Sequence, residues 1–343
     1  MITYLLTSAI FIIFFVALLA RTSKTKSPDF FSKDYTTICK ALACLVVVYV
    51  HVPPMLSNPV QNAVSSFGYV GVTCFFMISA YGMQFCVDNK KGYIVSFWRN
   101  RLSALLIPSL LVNVAGVVLT FILTKMFALQ SLVSIHNYVK VLLVYCLLFY
   151  VICKLSERMN FVRRNAEWIL IFAVLASSLY DYFNNLGMAN SAAAFWPYER
   201  MGLVWGILLY KFRNQIEQFF KFHRIKKIVL FLVISVVLGV CYLMFKHCVF
   251  WGEYLLKIVL GFVILFFALI TTYGLTFKSA FCRLIGNISF EIYLAHGMVM
   301  KTIQTLCGDL SSGLFIFLAI LFTIVLALIL NTIAKPVVKA CRK

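Results

Sequence analysis

The chain has 343 residues, 63% of them hydrophobic and 12% charged, at a mean hydropathy of +0.96, whereas a soluble domain is about half apolar and about a quarter charged. Its 31 Lys and Arg and 11 Asp and Glu are too few to clothe a 39.1 kDa globule in polar surface, so a water-soluble fold is excluded and lipid must cover the remainder. The formal charge of +20 then points first to the inner loops of a membrane protein, and nucleic acid is not an expected partner.

A bilayer core about 30 Å thick takes roughly 20 apolar residues as helix, because every backbone polar group must be paired internally where water is absent. On that basis the expected fold is an all-α polytopic membrane protein of about 11 transmembrane helices. They are placed near 2–20, 36–52, 67–86, 104–124, 139–154, 168–181, 195–210, 228–246, 254–274, 285–302 and 313–334. The first lacks a basic residue before its apolar run and is followed by Arg21, Lys24 and Lys26. That pattern describes an anchored helix, not a cleaved signal, with its basic flank inside.

An outer N-terminus and a cytoplasmic C-terminus put 25 of the 31 basic residues inside, leaving Lys125, Lys140, Arg200, Lys246, Lys257 and Lys301 outside or near the outer edge. Inverting the chain would invert that ratio, so the charge bias selects the orientation. A clustered basic inner face also raises the local concentration of anions, whether soluble ligands or lipid headgroups.

Eleven cysteines fall mostly in or beside apolar runs, with no CxxC and no His/Cys cluster at ligand spacing, so no metal site is expected. Only Cys248 and Cys307 lie on the outer side, where one disulfide is open to them. The outer connection from Asp181 to Phe195 gathers Tyr182, Phe183, Asn184, Asn185 and Asn190, followed by Trp196. Rings beside amides suit sugar faces and hydroxyls, although aromatics at this depth more often form an interfacial belt.

Ionisable side chains inside a span are costly and are therefore functional candidates. In KALACLVVVYVH, Lys40 and His51 are eleven residues apart, which on a helix is about 16 Å of rise and nearly whole turns, so they share a face. Pro53 and Pro54 then end the helix. The alternative is a snorkelling lysine and an interfacial histidine. In CFFMISAYGMQF, Ser79 either packs helices or faces a cavity. FWRNRLSALLIP places Arg99 and Arg101 before a helix that contains Pro108, either as bidentate phosphate donors or as ordinary inner-side charge. GNISFEIYLAH carries Asn287, Ser289, Glu291, Tyr293 and His296. Tyr293 and His296, three apart, share a face, and Glu291 is expected to pair with a basic group on another helix. In PYERMG, Glu199 and Arg200 stand at the outer mouth, either pairing with neighbouring charges or lining the entrance.

Taken in order, these segments resemble the integral-membrane acyltransferases of acyltransferase family 3, which O-acylate surface polysaccharides and other extracytoplasmic carbohydrates from acyl-CoA. Lys40 and His51 resemble the family's basic residue, ten others, then histidine. CFFMISAYGM resembles its FFxxSG segment, FWRNRLSALLIP its arginine loop before a proline, and GNISFEIYLAH its closing helix. The similarity runs from 34 to 334. It departs at Lys40, where arginine is commoner, at Ala80 in place of glycine, and at Ala104, which occupies the second position of the family's RxxR while Arg101 matches the first.

The resemblance implies a ten-helix acyltransferase bundle over 34–343, preceded by an extra transmembrane helix and basic loop over 1–33. It implies an O-acyltransferase, in the first instance an O-acetyltransferase, with acyl-CoA as co-substrate, no bound cofactor, and a saccharide or glycolipid acceptor within membrane lipid. His51 would be the general base or, alternatively, an acyl-carrying nucleophile. Lys40 and Arg101 would hold the CoA phosphates, with Arg99 substituting for the arginine absent at Ala104. Ser79, Tyr293 or His296 would polarise the carbonyl, with Glu291 a further polar group of the cavity, and Asn185, Glu199 and Arg200 would face the acceptor. A different class of function stays open: a flippase or proton-coupled transporter in which His51 and Glu291 relay protons. A purely structural subunit would leave those two residues without purpose. The sequence does not fix the oligomeric state.

Overall fold

The computed structural model describes residues 2–25, 30–127, 129–186 and 196–342. Its helices are α1 (Ile2–Leu19), α2 (Lys33–Val50), α3 (Pro59–Ser65), α4 (Tyr69–Asn89), α5 (Phe97–Thr124), α6 (Asn137–Arg158), α7 (Asn160–Asn184), α8 (Met201–Lys211), α9 (Arg213–Lys221), α10 (Arg224–Phe245), α11 (Lys257–Thr272), α12 (Ala280–Asn287), α13 (Ser289–Cys307) and α14 (Ser312–Arg342). Two short antiparallel strands, β1 (Thr22–Lys24) and β2 (Leu275–Phe277), pair with Thr22 opposite Phe277.

Among the described residues, seven helical segments are long and apolar enough to cross a membrane: Pro59–Asn89, Phe97–Thr124, Leu129–Arg158, Asn160–Asn184, Arg224–Phe245, Trp251–Thr272 and Ser312–Arg342. α10 shows why lipid is required. Val229, Val233, Val236 and Val240 are each more than half exposed, and a face of that kind is stable only against hydrocarbon. The protein is an integral membrane protein.

The other four expected spans differ from the seven for physical reasons. α1 and α8 are apolar but shorter. The stretch expected to start at residue 195 is helical only from Met201, and eleven residues rise about 16 Å, half a bilayer core. α2 carries Lys33, Asp34 and Lys40, and α13 carries Glu291, His296 and Lys301, which lowers their hydropathy. These two are the helices that bear the candidate site.

α2 lies at the centre, packed against α4, α12, α13, α14 and α1. It begins with Ser32 capping the Tyr35 amide (3.2 Å) and ends at His51, just ahead of Pro53 and Pro54. Beyond it, Asn58 caps α3 through the Gln61 amide (2.9 Å) and donates to Thr7 (3.1 Å) and Ser312 (2.8 Å). The Gln61 side chain donates to the Tyr49 carbonyl. At the opposite end, β1 and β2 join the first and last thirds of the chain, and Arg342 donates to Ser103 (3.4 Å).

All eleven cysteines are free. The disulfide open to Cys248 and Cys307 does not form, and both thiols are exposed.

The most extensive helix contact is between α4 and α8. Gly202 and Gly206, four residues apart, leave room for the α4 backbone. A Cβ at Gly202 would strike the Thr73 carbonyl, and one at Gly206 the Met77 carbonyl. Small residues at this spacing let backbones meet where apolar side chains gain nothing over lipid. Gly206→Val is expected to destabilise the fold by about 1–3 kcal/mol or more, the range typical of overpacking. Thermal unfolding and size-exclusion profiles in detergent measure it.

Candidate active site

Two cavities open along α2, one at each end, and are called inner and outer after the orientation that the charge bias predicts. The inner cavity encloses about 550 Å³ and is lined by Lys40 and Thr36 of α2, Ser79 and Tyr81 of α4, Arg101 of α5, and Lys33 and Lys90. Four cations and no carboxylate line it among the described residues, an arrangement suited to a polyanion. A neighbouring space of about 500 Å³ shares Phe30, Phe31, Ser32 and Lys33 and adds Lys278 and Arg283 together with Asp34. The Arg101 guanidinium is fixed by donating to the Tyr93 hydroxyl (3.0 Å) and by lying 5.8 Å from the centre of the Phe97 ring.

Arg99 and Arg101 do not precede α5, as expected, but lie in its first turns, because the helix starts at Phe97. On a helix, two positions two apart diverge. Arg101 enters the cavity, whereas Arg99 is exposed and is not among the lining residues.

The outer cavity encloses about 610 Å³. His51, His136, Tyr293, His296, Trp196 and Asn113 line it, with Lys301 as its cation and no carboxylate among the described residues. His51 and His296 meet edge to face, 4.8 Å between ring centres. His51 Nδ1 lies 2.6 Å from the Val47 carbonyl, and His296 Nδ1 lies 2.6 Å from the Tyr293 carbonyl. A carbonyl oxygen only accepts, so each Nδ1 carries a proton and donates it, and in the neutral ring the lone pair then sits at Nε2. Two imidazoles, each held through Nδ1 by its own helix, therefore share one chamber.

Aromatic rings separate the chambers. Tyr138 of α6 is within hydrogen-bonding reach of Ser79 at the inner cavity and lies 5.0 Å, centre to centre, from Tyr293. Tyr293 in turn is 5.8 Å from His296. Phe75 packs edge-on against both tyrosines, at 6.2 Å from Tyr138 and 5.8 Å from Tyr293. Ser79 also donates to the Phe75 carbonyl (2.8 Å), so it faces the inner cavity while its hydroxyl is held by its own helix.

The remaining candidates lie outside both cavities. Glu291 does not form the expected ion pair. It is buried and accepts from the Asn331 amide of α14 (2.9 Å), a neutral partner that satisfies the carboxyl without a second buried charge. Glu199 and Arg200 are buried in the turn before α8. Arg200 pairs with Asp181 (2.5 Å) and donates to Ser177 (3.1 Å), while Glu199 has Lys257 as its countercharge. Asn185 caps α7, donating to the Asp181 carbonyl (2.7 Å). Tyr182 is buried, its hydroxyl accepting from the Phe250 amide (2.6 Å), so its role is packing. Lys26 and Asn190 lie outside the described residues.

Sequence reasoning missed His136, Tyr138, Asn113 and the cavity position of Trp196. The motif HNYVK, ahead of an apolar helix, held the available signal, an ionisable residue at a membrane boundary followed by a tyrosine.

Residues 34–332 match a family model described as an acyltransferase domain. No curated protein and no solved structure matches the chain. The matched region takes in His51 with Lys40, Arg101 in its cationic cavity, and the helix carrying Tyr293 and His296, and on that match the chain belongs to the acyltransferase family 3 membrane proteins.

Proposed function

We propose that this membrane acyltransferase moves an acyl group, in the first instance acetyl, from acyl-CoA on the cytoplasmic side to a hydroxyl of a saccharide or glycolipid on the other. The observation that carries the reading is the contrast between the chambers, one lined by four cations and the other by imidazoles, at opposite ends of the helix that holds Lys40 and His51.

An acyl thioester brings its own activation, so the protein must position two substrates, remove a proton and stabilise an oxyanion. The CoA phosphates lie with Arg101 and Lys40 in the inner cavity, and the thinner pantetheine arm passes Ser79 and the Tyr138–Tyr293 wall. The acceptor oxygen then adds to the thioester carbonyl carbon as its proton passes to His51 Nε2. Collapse of the tetrahedral adduct breaks the C–S bond, and the departing thiolate takes that proton back from the imidazolium. A neutral imidazole with its Nδ1–H engaged on the Val47 carbonyl is oriented for this task. His296, with Nδ1 donating to the Tyr293 carbonyl, offers a lone pair at Nε2 when neutral and then does not serve a developing oxyanion. The Tyr293 hydroxyl is the donor better suited to that role. The transporter alternative has weaker support, because Glu291 is bonded to Asn331 and is not among the residues lining either cavity.

Three outcomes test the reading. His51→Ala is expected to lower the turnover of acyl transfer by about 10² to 10⁴, the usual cost of losing a proton-transfer group, with the thermal unfolding midpoint little changed. Near-normal turnover would remove the mechanism. Arg101→Ala is expected to raise the KM for acyl-CoA more than it lowers kcat, because a phosphate contact acts in ground state and transition state alike. Steady-state kinetics with acetyl-CoA separate the two. Finally, the exposed thiols Cys248, Cys307 and Cys341 report orientation without any substitution. An impermeant maleimide applied to intact cells should label Cys248 and Cys307, and should label Cys341 only after permeabilisation. The reverse pattern would place the donor cavity on the wrong side.

A further inference from the structure

The space beside the inner cavity has no part in the mechanism above. It encloses about 500 Å³, within the range of pockets that hold small-molecule ligands. Lys33, Lys278 and Arg283 line it against a single carboxylate, Asp34, among the described residues, and the rings of Phe30 and Tyr273 supply apolar wall. All three cations are exposed, and among the described residues none of them makes an ion pair.

The fold brings these cations together from distant parts of the chain. Lys33 opens α2, while Lys278 precedes the Ser279 cap of α12 and Arg283 closes its first turn. The helix dipole opposes a cation at either place, so helix stability does not account for them. α12 is held against α2 at close range, since a Cβ at Gly286 would strike the Thr37 carbonyl. Its start is fixed by Ser279, which accepts from the Cys282 amide (3.2 Å) and donates to the Ala17 carbonyl (3.0 Å). A general excess of inner-side charge explains basic residues at this end of the protein, but not three that converge on one pocket. The arrangement suits an anion of more than one charge.

The pocket adjoins the inner cavity, with which it shares Phe30, Phe31, Ser32 and Lys33, so one extended ligand can occupy both. CoA carries phosphate at two separate places, a pyrophosphate and a monoester on the 3′ carbon of its ribose. Arg101 and Lys40 suit the first, and the second needs cations of its own. We infer that Lys33, Lys278 and Arg283 form a phosphomonoester subsite that takes the ribose 3′-phosphate of the donor. This rests on reading the inner cavity as the donor chamber. The subsite would make the protein select CoA thioesters over thioesters of identical reactivity that lack the 3′-phosphate, since a site built around a charged group rejects the analogue without it.

The experiment titrates CoA and 3′-dephospho-CoA into the full-length protein in detergent, by calorimetry. The wild type is expected to bind CoA about tenfold to a hundredfold more tightly, the usual worth of hydrogen bonds to a charged group. Lys278→Ala combined with Arg283→Ala should weaken CoA to the level of dephospho-CoA and leave dephospho-CoA almost unchanged, with the unfolding midpoint unaltered because both side chains are exposed. Lys278→Arg, which keeps the charge, should retain the discrimination. Equal affinity for the two ligands in the wild type, discrimination that survives in the double variant, or equal weakening of both ligands overturns the inference. Thermal stabilisation by phosphatidylglycerol, relative to phosphatidylcholine, is compared in the same proteins. If that stabilisation is lost in the double variant while the discrimination persists, the pocket belongs to a lipid headgroup and the inference falls. Acetyl transfer is measured in parallel from acetyl-CoA and from its dephospho analogue. Discrimination that depends on Lys278 and Arg283 without any transfer would overturn the proposed function and leave the subsite standing, whereas transfer from the two donors with equal KM would do the reverse.

Discussion

A polar side chain within the span of a membrane must find a partner in the protein or face a cavity, and this requirement organises the molecule around α2. Lys40 and His51 are the polar groups of a helix otherwise almost wholly apolar beyond its first turns. Neither can face lipid, so α2 is drawn to the centre, with α4, α12, α13 and α14 around it. α13 is drawn inward by the same rule. Its Glu291 is satisfied by Asn331, and its His296 meets His51. The result is a bundle whose helices with ionisable groups in mid-span turn them inward, the reverse of a water-soluble protein.

Close packing makes the arrangement rigid enough to hold a site. α4 runs between α2 and α8, and its approach to α8 depends on Gly202 and Gly206 having no side chain. α4 also supplies Ser79 to the inner cavity and Phe75 to the wall between the tyrosines. The glycines of α8 thus act on the site indirectly, by fixing the helix that carries the residues between the two chambers. Asn113 has a comparable role on the outer side, where it holds a connection that would otherwise depend on weaker contacts.

Much of this was legible in the sequence, because composition and charge bias are properties of whole segments. The apolar runs mark the helices, and the spacing from Lys40 to His51 and from Tyr293 to His296 gives shared faces by helical geometry alone. What one segment cannot reveal is which other segment it meets. Glu291 was expected to have a basic partner, and the neighbouring helix offers Asn331 instead. Arg99 and Arg101 are nearly adjacent in sequence, yet only Arg101 lines the cavity, because α5 begins earlier than the apolar pattern suggests. Glu199, Arg200 and Asn185 cluster near one loop in the sequence, and the structure uses them for ion pairing and capping. His136 escaped notice because its neighbours in the chain give it no periodic context.

The wall formed by Phe75, Tyr138 and Tyr293 has a consequence for the cell as well as for the chemistry. A membrane protein hollowed from both ends is a hazard, since a continuous wet path would dissipate the ion gradient across the bilayer. Three rings packed edge-on and tilted against one another leave a ribbon of hydrocarbon and phenol between the chambers, and ions do not cross such a barrier unassisted. A slender, flexible arm can part the rings and fill the space that it opens, so the passage is sealed by whatever occupies it. A chain built in this way can carry chemistry through the membrane without becoming a channel.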